Sequence, residues 1–600
     1  MDRKMTRKNL PVLILFITSF AYLYWFAAGI FFYQEQKSLF IFSYEYLAKH
    51  LVKPGGLLKY LAGFLTQGYL SDLYGAFINS LIIALLAILL RSVAERLSGS
   101  RSFTMPLAFL IPLGLMICQS NYHFNILHSL GFLLAAVLFL ISLNLTRKTF
   151  HVILIFLFPV FYFMMGTYSL IYLCTYLIHS ILYQNNRYGR IFTLLQIFIS
   201  IVTLVLFYKL FLYQPFSVIT GYPLISNEYG RANGLLYGVT VLFVLLPGLI
   251  KISDLPGSEK HATAKSTVIA ACLYGISIIV LVRQYDPVFE GIMRTEKRYC
   301  SGKFDEIIVH HEKYPSSNII EQFYYNLSLS EKGKLCDRMF FGCQDTGPMS
   351  LSLGGNREQA SRTMHYYYAV GLVNEARHLA FELMVINGYT PENLKMLIKT
   401  ELINGNFRVA ERYLNILKKT LGYRSEAGRL GKMLENTELV NTDDELGEKR
   451  KLMPKDDFFI HTEDAMNIDL LVRSNPANRK AFEYKMARLL LEKDILEIAE
   501  ESVKMADMGY TTIPRHIEEA IVAFASYKKA LPDLAGLVLS AGTNARFLNY
   551  VRSVNSFAGD RAAIKKSLNR AEKDTFWYYL QFGQIRGDFT RSRPVDRNVY

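Results

Sequence analysis

The 600-residue chain is 51% hydrophobic and 14% aromatic with a mean hydropathy of +0.19, which is too apolar for an ordinary soluble protein and too long for one domain. Residues 1–285 carry 21 Lys and Arg against 8 Asp and Glu, and so hold +13 of the formal net charge of +15. This excess is spread over short loops between apolar runs, which indicates membrane insertion and excludes the concentrated basic face that nucleic-acid binding needs. We expect no nucleic-acid partner.

The first half contains nine apolar stretches separated by short polar segments. They are Leu10–Phe32, Leu73–Leu90, Thr104–Cys118, Ile126–Leu145, Phe150–Met165, Tyr168–Leu182, Ile191–Tyr213, Leu235–Ile250 and Ser266–Val282. Several are shorter than the roughly 20 residues of a straight crossing, so their boundaries are approximate. We predict a transmembrane domain over residues 1–285 with about nine spans. The first stretch is long and more follow, so it is predicted to be a retained anchor, not a cleaved signal peptide.

Basic residues indicate the orientation of these spans, because cytoplasmic loops are enriched in Lys and Arg. With nine spans and a cytoplasmic N-terminus, the predicted inner segments hold 14 basic residues, whereas the outer loops hold 5 plus Arg283 at a boundary. The inner residues are Arg3, Lys4, Arg7, Lys8, Arg91, Arg96, Arg101, Arg147, Lys148, Arg187, Arg190, Lys251, Lys260 and Lys265. An odd number of spans places the C-terminal half outside the cytoplasm.

From Asp286 onward, apolar residues recur three and four positions apart, which predicts an all-α domain over 286–600. Two segments in it, Gly371–Ala376 and Gly405–Ala410, have their glycines and alanines 34 residues apart. Glycine permits a tight turn between paired helices, and alanine permits close helix packing. Pro391 is predicted to open the helix between the two segments.

This half resembles tetratricopeptide repeats, whose period is 34 residues. The resemblance covers roughly 290–430 and again 480–530, and it implies a helical superhelix whose concave face binds peptides or partner proteins. The alternative is a compact α-domain of degenerate helical hairpins. Residues 437–460, which include Glu448-Lys-Arg-Lys451, are predicted to be a solvated excursion between two repeat blocks.

Cysteine and histidine residues give no spacing typical of a zinc site, so no metal site is predicted. Cys336 and Cys343 are either two free thiols or a disulfide, if their domain is outside the cytoplasm. The tandem His310-His311 lies in a polar helical pattern and is expected at the surface.

Four local patterns resemble an uncharacterised bacterial family of polytopic membrane proteins, known only as a domain of unknown function. They are Gln34-Glu-Gln-Lys-Ser-Leu-Phe40, Pro54-Gly-Gly-Leu-Leu-Lys-Tyr60, Asn475-Pro-Ala-Asn-Arg-Lys-Ala-Phe-Glu-Tyr484 and Trp577-Tyr-Tyr579. The resemblance implies the two-part architecture over nearly the whole chain and supplies no activity.

The chain lacks the sequence signatures of phosphate-binding loops, zinc peptidases and serine hydrolases. The first outer loop is nevertheless similar to that of glycosyltransferases that use polyprenyl-phosphate sugars. The similarity implies that Glu35 or Glu45 activates an acceptor or holds a divalent cation, and that Lys209 and Arg231 bind the lipid phosphate. This loop lacks a paired-acid motif, and an interfacial helix with snorkelling lysines explains the same residues.

The sequence therefore favours a bacterial inner-membrane protein that presents a tetratricopeptide-like scaffold to a protein or peptide partner in the periplasm, without a cofactor. A membrane glycosyltransferase is the alternative, and a divalent cation is expected only there. A transporter is the second alternative, disfavoured because the predicted spans contain almost no ionisable residues.

Overall fold

The computed structural model describes residues 3–98, 104–145, 148–184, 187–225, 232–253, 262–353, 359–557 and 560–583. The protein is all-α: the described residues form helices joined by turns and loops, and no β-strand is found among them. The chain forms two compact units. Unit 1 contains residues 1–290 and 419–422, and unit 2 contains residues 291–418 and 423–600.

The described residues of unit 1 form fourteen α-helices, several of them long and apolar. They are α1 (Arg3–Trp25), α2 (Gly29–Lys37), α3 (Tyr44–Leu51), α4 (Gly56–Thr66), α5 (Asp72–Leu97), α6 (Thr104–Gln119), α7 (Ile126–Asn144), α8 (Lys148–Phe156), α9 (Phe158–Met165), α10 (Thr167–Tyr183), α11 (Arg187–Leu206), α12 (Phe216–Gly221), α13 (Ala232–Ser253) and α14 (Ala262–Gln284). A π-helical turn, Phe207–Phe211, continues α11.

Within the described part of unit 1, five helical segments are long and apolar enough to cross a membrane. They are Asp72–Leu97, Ile126–Asn144, Tyr188–Phe211, Gly234–Ser253 and Lys265–Gln284. The pair Leu10–Trp25 and Gly29–Lys37, bent by 73°, makes a sixth if it is one broken span. Helices occupy all nine predicted stretches, but α6 and α10 are short and Phe150–Met165 is divided between α8 and α9. The chain therefore has the helices of a membrane protein, and nine spans stay a prediction.

Helix α5 is central in unit 1 because it packs against α1, α6, α7 and α13. Small residues on it permit close contact: a Cβ atom at Gly75 would lie 2.6 Å from the Phe31 ring. A larger residue at position 75 would therefore collide with Phe31 on α2, so close packing requires glycine there.

The first and last apolar helices of unit 1 contact each other. The Tyr22 hydroxyl donates to the Leu281 carbonyl oxygen at 3.2 Å, and the Tyr274 hydroxyl donates to Thr18. At the break between α1 and α2, the Gly29 amide donates to both carboxylate oxygens of Glu290, at 2.9 and 3.1 Å. Glu290 therefore satisfies a helix N-terminus that lacks a capping side chain of its own.

Unit 2 consists of α15, which begins just before the boundary, and shorter helices that follow it. They are α15 (Pro287–Cys300), α16 (Phe304–Lys313), α17 (Ile319–Glu331), α18 (Leu335–Arg338), α19 (Ala360–Val370), α20 (Val373–Asn387), α21 (Pro391–Ile403), α22 (Phe407–Leu417), α23 (Arg424–Glu435), α24 (Leu439–Thr442), α25 (Leu446–Leu452), α26 (Asp464–Ser474), α27 (Arg479–Glu492), α28 (Ile495–Glu501), α29 (Lys504–Asp507), α30 (Arg515–Lys528), α31 (Ala541–Asn555), α32 (Arg561–Ala571) and α33 (Phe576–Phe582).

Glycines with positive φ separate consecutive helices in unit 2. Gly302 separates α15 from α16, Gly333 separates α17 from α18, Gly371 separates α19 from α20, and Gly405 separates α21 from α22. The two glycines of the 34-residue pattern therefore lie at helix-to-helix turns, where the left-handed conformation favours glycine. Helix α21 begins at Pro391 as predicted, with Thr390 as its N-cap.

The Asn475-Pro-Ala-Asn478 segment holds the chain that follows α25. Asn475 Nδ2 donates to the carbonyl oxygens of Lys451 and Met453, at 2.9 and 2.8 Å. Asn478 Nδ2 donates to the carbonyl oxygens of Leu452 and Val370, at 2.7 and 2.8 Å. The two amides donate to carbonyl oxygens at the ends of α19 and α25 and just after α25. A structural role therefore accounts for both asparagines of this motif.

Candidate functional site

A cavity of about 330 Å³ in unit 2 is lined by side chains from α15, α16, α17, α19, α21 and α25 and the adjoining loops, many of them charged. We call it the charged cavity. Its walls contain the carboxylates Glu331, Glu392, Asp444, Glu445 and Glu448, and the ammonium groups of Lys395, Lys399 and Lys449. Buried charges are costly unless they are paired, so the pairing determines what the cavity can do.

One ion-pair network lies at Glu331, the last residue of α17. Lys449 Nζ donates to both Glu331 oxygens at 2.8 Å, and Lys480 Nζ lies 2.7 Å from Glu331 Oε2 and 2.9 Å from Glu448. Burial alone would raise the pKa of Glu331, but the two ammonium groups hold it below its ordinary value.

The solvated excursion predicted for 437–460 is therefore wrong at its centre. Lys449 is 1% exposed, although the run Glu448-Lys-Arg-Lys451 has the composition of a solvated loop. The physical reason is that Glu331, more than a hundred residues earlier, supplies the charge that makes burial of this lysine possible.

A second pair joins α21 to the start of α25. Lys399 Nζ lies 2.7 Å from Glu445 Oε1, and the Tyr368 hydroxyl donates to the same oxygen at 3.1 Å. Burial would raise the pKa of Glu445, but Lys399 and Arg429 lower it to about 2. Glu445 is therefore ionised at any physiological pH.

Cys300, His365 and Glu392 come together at the other end of the charged cavity. One thiol, one imidazole nitrogen and one carboxylate oxygen, each from a different residue, all lie within 4.8 Å of one another. Lys395 Nζ contacts Glu392 Oε1, and His365 Nε2 lies 3.8 Å from Glu392 Oε2. These three residues are the ones in the described structure that could hold a metal ion.

A second cavity, of about 380 Å³, lies between α26, α27 and the loop near 348–353. Its walls are mainly apolar, with Asp464 and Arg488 among the polar groups. The charged cavity is the better candidate site because its side chains offer several kinds of chemistry at one place.

The residues that the glycosyltransferase resemblance singled out lie in different elements of unit 1. Glu35, on α2, is buried and accepts a hydrogen bond from the Gln36 amide at 2.8 Å, whereas Glu45, on α3, is exposed. Lys209 is exposed on the π-helical turn, with its ammonium 5.0 Å from the centre of the Tyr208 ring. Arg231 lies outside the described residues. Their roles stay predictions.

Sequence reasoning missed the residues of the charged cavity. The available signal was their common position: Cys300, His365 and Glu392 lie on α15, α19 and α21, each of which precedes a glycine turn.

The sequence-based prediction that His311 lies at the surface is wrong, because His311 is 3% exposed and stacks on Tyr325. Burial lowers the pKa of His311 to about 4. Cys336 and Cys343 are free thiols.

No curated protein and no solved structure matches the chain. A model of a family of unknown function (DUF6057) matches residues 3–583, which is nearly the whole chain. The uncharacterised family that the local patterns implied is therefore confirmed at that level, and the chain belongs to this family of unknown function.

Proposed function

We propose that the protein is a scaffold of the bacterial inner membrane, with unit 1 as a multi-pass anchor and unit 2 as a tetratricopeptide-like domain that binds a peptide or protein in the periplasm. The apolar helices of unit 1 and the distribution of basic residues support the anchor and its orientation. The charged cavity is the proposed binding surface.

The observation that carries the proposal is which helices line the charged cavity. Helices α15, α17, α19 and α21 each precede a glycine turn, and all four contribute to its wall. The rest of the wall comes from α25, the adjoining loops and Phe304 at the start of α16. In a helical-repeat protein, the equivalent helices of successive hairpins form one continuous concave face. Here too the first helices of successive hairpins line one cavity, which supports a repeat domain rather than a compact bundle of unrelated hairpins.

The charge of the cavity suggests the chemistry of the partner. Its lining has five carboxylates and three ammonium groups, an excess of two negative charges. Two of the carboxylates, Asp444 and Glu448, are accessible, and the Glu448 side chain is 43% exposed. A peptide segment with Lys, Arg or a free amino group would therefore be favoured over an acidic one.

The test is peptide binding by the full-length protein in lipid nanodiscs, measured by fluorescence anisotropy with a library of short basic, neutral and acidic peptides. We expect saturable binding of a subset of basic peptides. Asp444→Lys should weaken it about tenfold, because a carboxylate at the rim is replaced by a positive charge that repels a basic peptide. Glu438→Lys, exposed and outside the cavity wall, is the matched control. Absence of binding, or equal loss in both variants, would reject the proposal.

The proposed orientation has its own test. A periplasm-active alkaline phosphatase fused after residue 583 should be active, and a fluorescent protein that folds only in the cytoplasm should be dark at the same position. The reverse pattern would move unit 2 to the cytoplasm.

Glycosyltransfer stays the alternative proposal, and one observation favours it. Glu35 is 5% exposed and precedes α3 and α4 in the chain, two short helices rich in aromatic residues. A buried acid beside interfacial helices is suited to acceptor activation. Saturable binding of a polyprenyl phosphate, lost in Lys209→Ala but kept in Lys59→Ala, would support this alternative.

A further inference from the structure

We propose that Cys300, His365 and Glu392 form a binding site for a divalent zinc-class metal ion, Zn²⁺ or the chemically similar Co²⁺. The site lies in the wall of the charged cavity. The proposal does not rest on peptide binding, because the ligand geometry stands whether or not the cavity has a partner.

The separation of the three donor groups suits one small ion. A Zn²⁺ ion with bonds of about 2.0 to 2.3 Å holds its ligand atoms roughly 3.3 to 3.8 Å apart in a tetrahedron. The three donor atoms already lie within 4.8 Å of one another. We expect rotation of the three side chains to close the remaining difference of about 1 Å.

His365 provides the second, independent observation. The residue is 6% exposed, and no hydrogen-bond partner for its Nε2 atom is found in the described part of the chain. An unsatisfied buried nitrogen is costly, and this one is directed towards the Glu392 carboxylate at 3.8 Å. A metal ion between the two groups would satisfy both.

The two oxygens of Glu392 have different neighbours, so Lys395 and a metal ion can contact the carboxylate at the same time. Glu392 Oε1 contacts Lys395, whereas Oε2 is the oxygen that faces His365. Glu426 lies 3.9 Å from Lys395 and gives the ammonium a second carboxylate. The metal would bind Oε2, and Lys395 would hold Oε1 as an outer hydrogen-bond donor that orients the ligand.

The donor set selects the class of metal. Thiolate and imidazole ligands favour Zn²⁺ and Co²⁺ over Mg²⁺ and Ca²⁺, which prefer oxygen ligands throughout. When the ion binds, the Cys300 thiol releases its proton to solvent, and thiolate plus carboxylate then neutralise the two positive charges. Three protein ligands leave a fourth position for water or another ligand, and all three of these residues line the charged cavity.

The experiment uses the full-length protein, purified in detergent, stripped of metal with a chelator and dialysed against Co²⁺ alone. We expect a single bound equivalent, tetrahedral absorption bands in the visible region and a thiolate-to-cobalt charge-transfer band in the near ultraviolet. Cys300→Ser should remove the charge-transfer band, and His365→Gln and Glu392→Gln should weaken Co²⁺ binding by at least about tenfold, as loss of a direct ligand does.

Cys343→Ser is the matched control, since Cys343 is a free thiol outside the three-residue cluster, and it should keep the full spectrum. Lys395→Met should keep the cobalt bands but bind Co²⁺ about tenfold more weakly, because the outer donor that orients Glu392 is removed. This variant retains all three ligands and stays informative if Glu392→Gln fails to fold. Absence of cobalt bands in the wild type and Lys395→Met, or an unchanged charge-transfer band in Cys300→Ser, would overturn the proposal.

Discussion

The Lys449 ammonium group donates to both carboxylate oxygens of Glu331 at 2.8 Å, and the two side chains are only 2% and 10% exposed. Lys449 also donates to the Ala369 carbonyl oxygen at 3.2 Å. This buried pair links α17, α19 and α25, so the wall of the charged cavity depends on charge pairing as well as on apolar packing.

Glu331→Gln should lower the stability of unit 2 strongly. The substitution leaves the buried Lys449 ammonium with only the partly exposed Glu448 carboxylate, at 3.8 Å. Breaking a buried pair on one side costs about 3 to 5 kcal/mol. The measurement is the midpoint of thermal unfolding of the purified protein. Glu306→Gln, at a pair whose carboxylate is 52% exposed, should change the midpoint little. Equal midpoints for Glu331→Gln and the wild type would contradict the role given to the pair.

Glu483 should make the protein less stable as the pH rises. Burial and the nearby Asp337 carboxylate raise the pKa of Glu483 from its ordinary value of 4.5 to about 7. Between these two values the folded protein binds more protons than the unfolded chain, so stability falls with increasing pH and levels off above about pH 7. The cost at high pH is about 3 to 4 kcal/mol, at roughly 1.4 kcal/mol per pKa unit.

Glu483→Gln should therefore raise the unfolding midpoint at pH 8 and leave it almost unchanged at pH 5. The amide cannot ionise, and the Tyr510 hydroxyl, 3.3 Å from Glu483 Oε1, can still donate to it. Glu500→Gln, at an exposed position on α28, is the control and should show no such difference. A stabilisation that is the same at both pH values would contradict the assignment.

Gly371→Ala and Gly405→Ala should differ although the two glycines are equivalent in the 34-residue pattern. Both have positive φ, +100° and +76°, so alanine is strained by about 1 kcal/mol at each. At Gly371 the new Cβ would also lie 2.6 Å from the Leu452 carbonyl oxygen, whereas at Gly405 the nearest atom is 3.8 Å away. Unfolding in denaturant should show about 1 to 3 kcal/mol more loss for Gly371→Ala; equal losses would refute the close approach.

Asn478→Asp should destabilise unit 2 by about 3 kcal/mol or more, because a carboxylate would face two carbonyl oxygens that now receive hydrogen bonds. Asn478 is fully buried and donates to Val370 and Leu452. Asn436→Asp, on an exposed turn where the side-chain oxygen only accepts, should be nearly neutral. Thermal unfolding of both variants tests this, and similar midpoints would rule out the proposed role of the amide.

Local patterns were enough to predict the helical class, the apolar first half and the turns at Gly371 and Gly405. These features depend on residues close together in sequence, since a helix face or a glycine turn is specified within a few positions. The number of membrane spans is harder to predict from the sequence. Helices such as α6 and α10 are too short for length alone to decide whether they cross a membrane.

The charged cavity was not predictable by the same means. Lys449 is followed by Arg450 and Lys451, and nothing local indicates that its partner is Glu331. Cys300, His365 and Glu392 are separated by 65 and 27 positions, far from the spacings of local metal motifs. Only the packing of helices that are far apart in sequence brings such residues together, and that packing is a property of the tertiary structure.

The hydrogen bonds from the Gly29 amide to Glu290 have a consequence for biogenesis. The two residues are separated by 261 positions, so ribosomal synthesis delivers the amide long before its acceptor. Helix α1 likewise meets α14, through Tyr22 and Leu281, only after the intervening chain exists. Unit 1 therefore completes these contacts late. In a nascent chain arrested before residue 290, the Gly29 amide would lack its Glu290 acceptor.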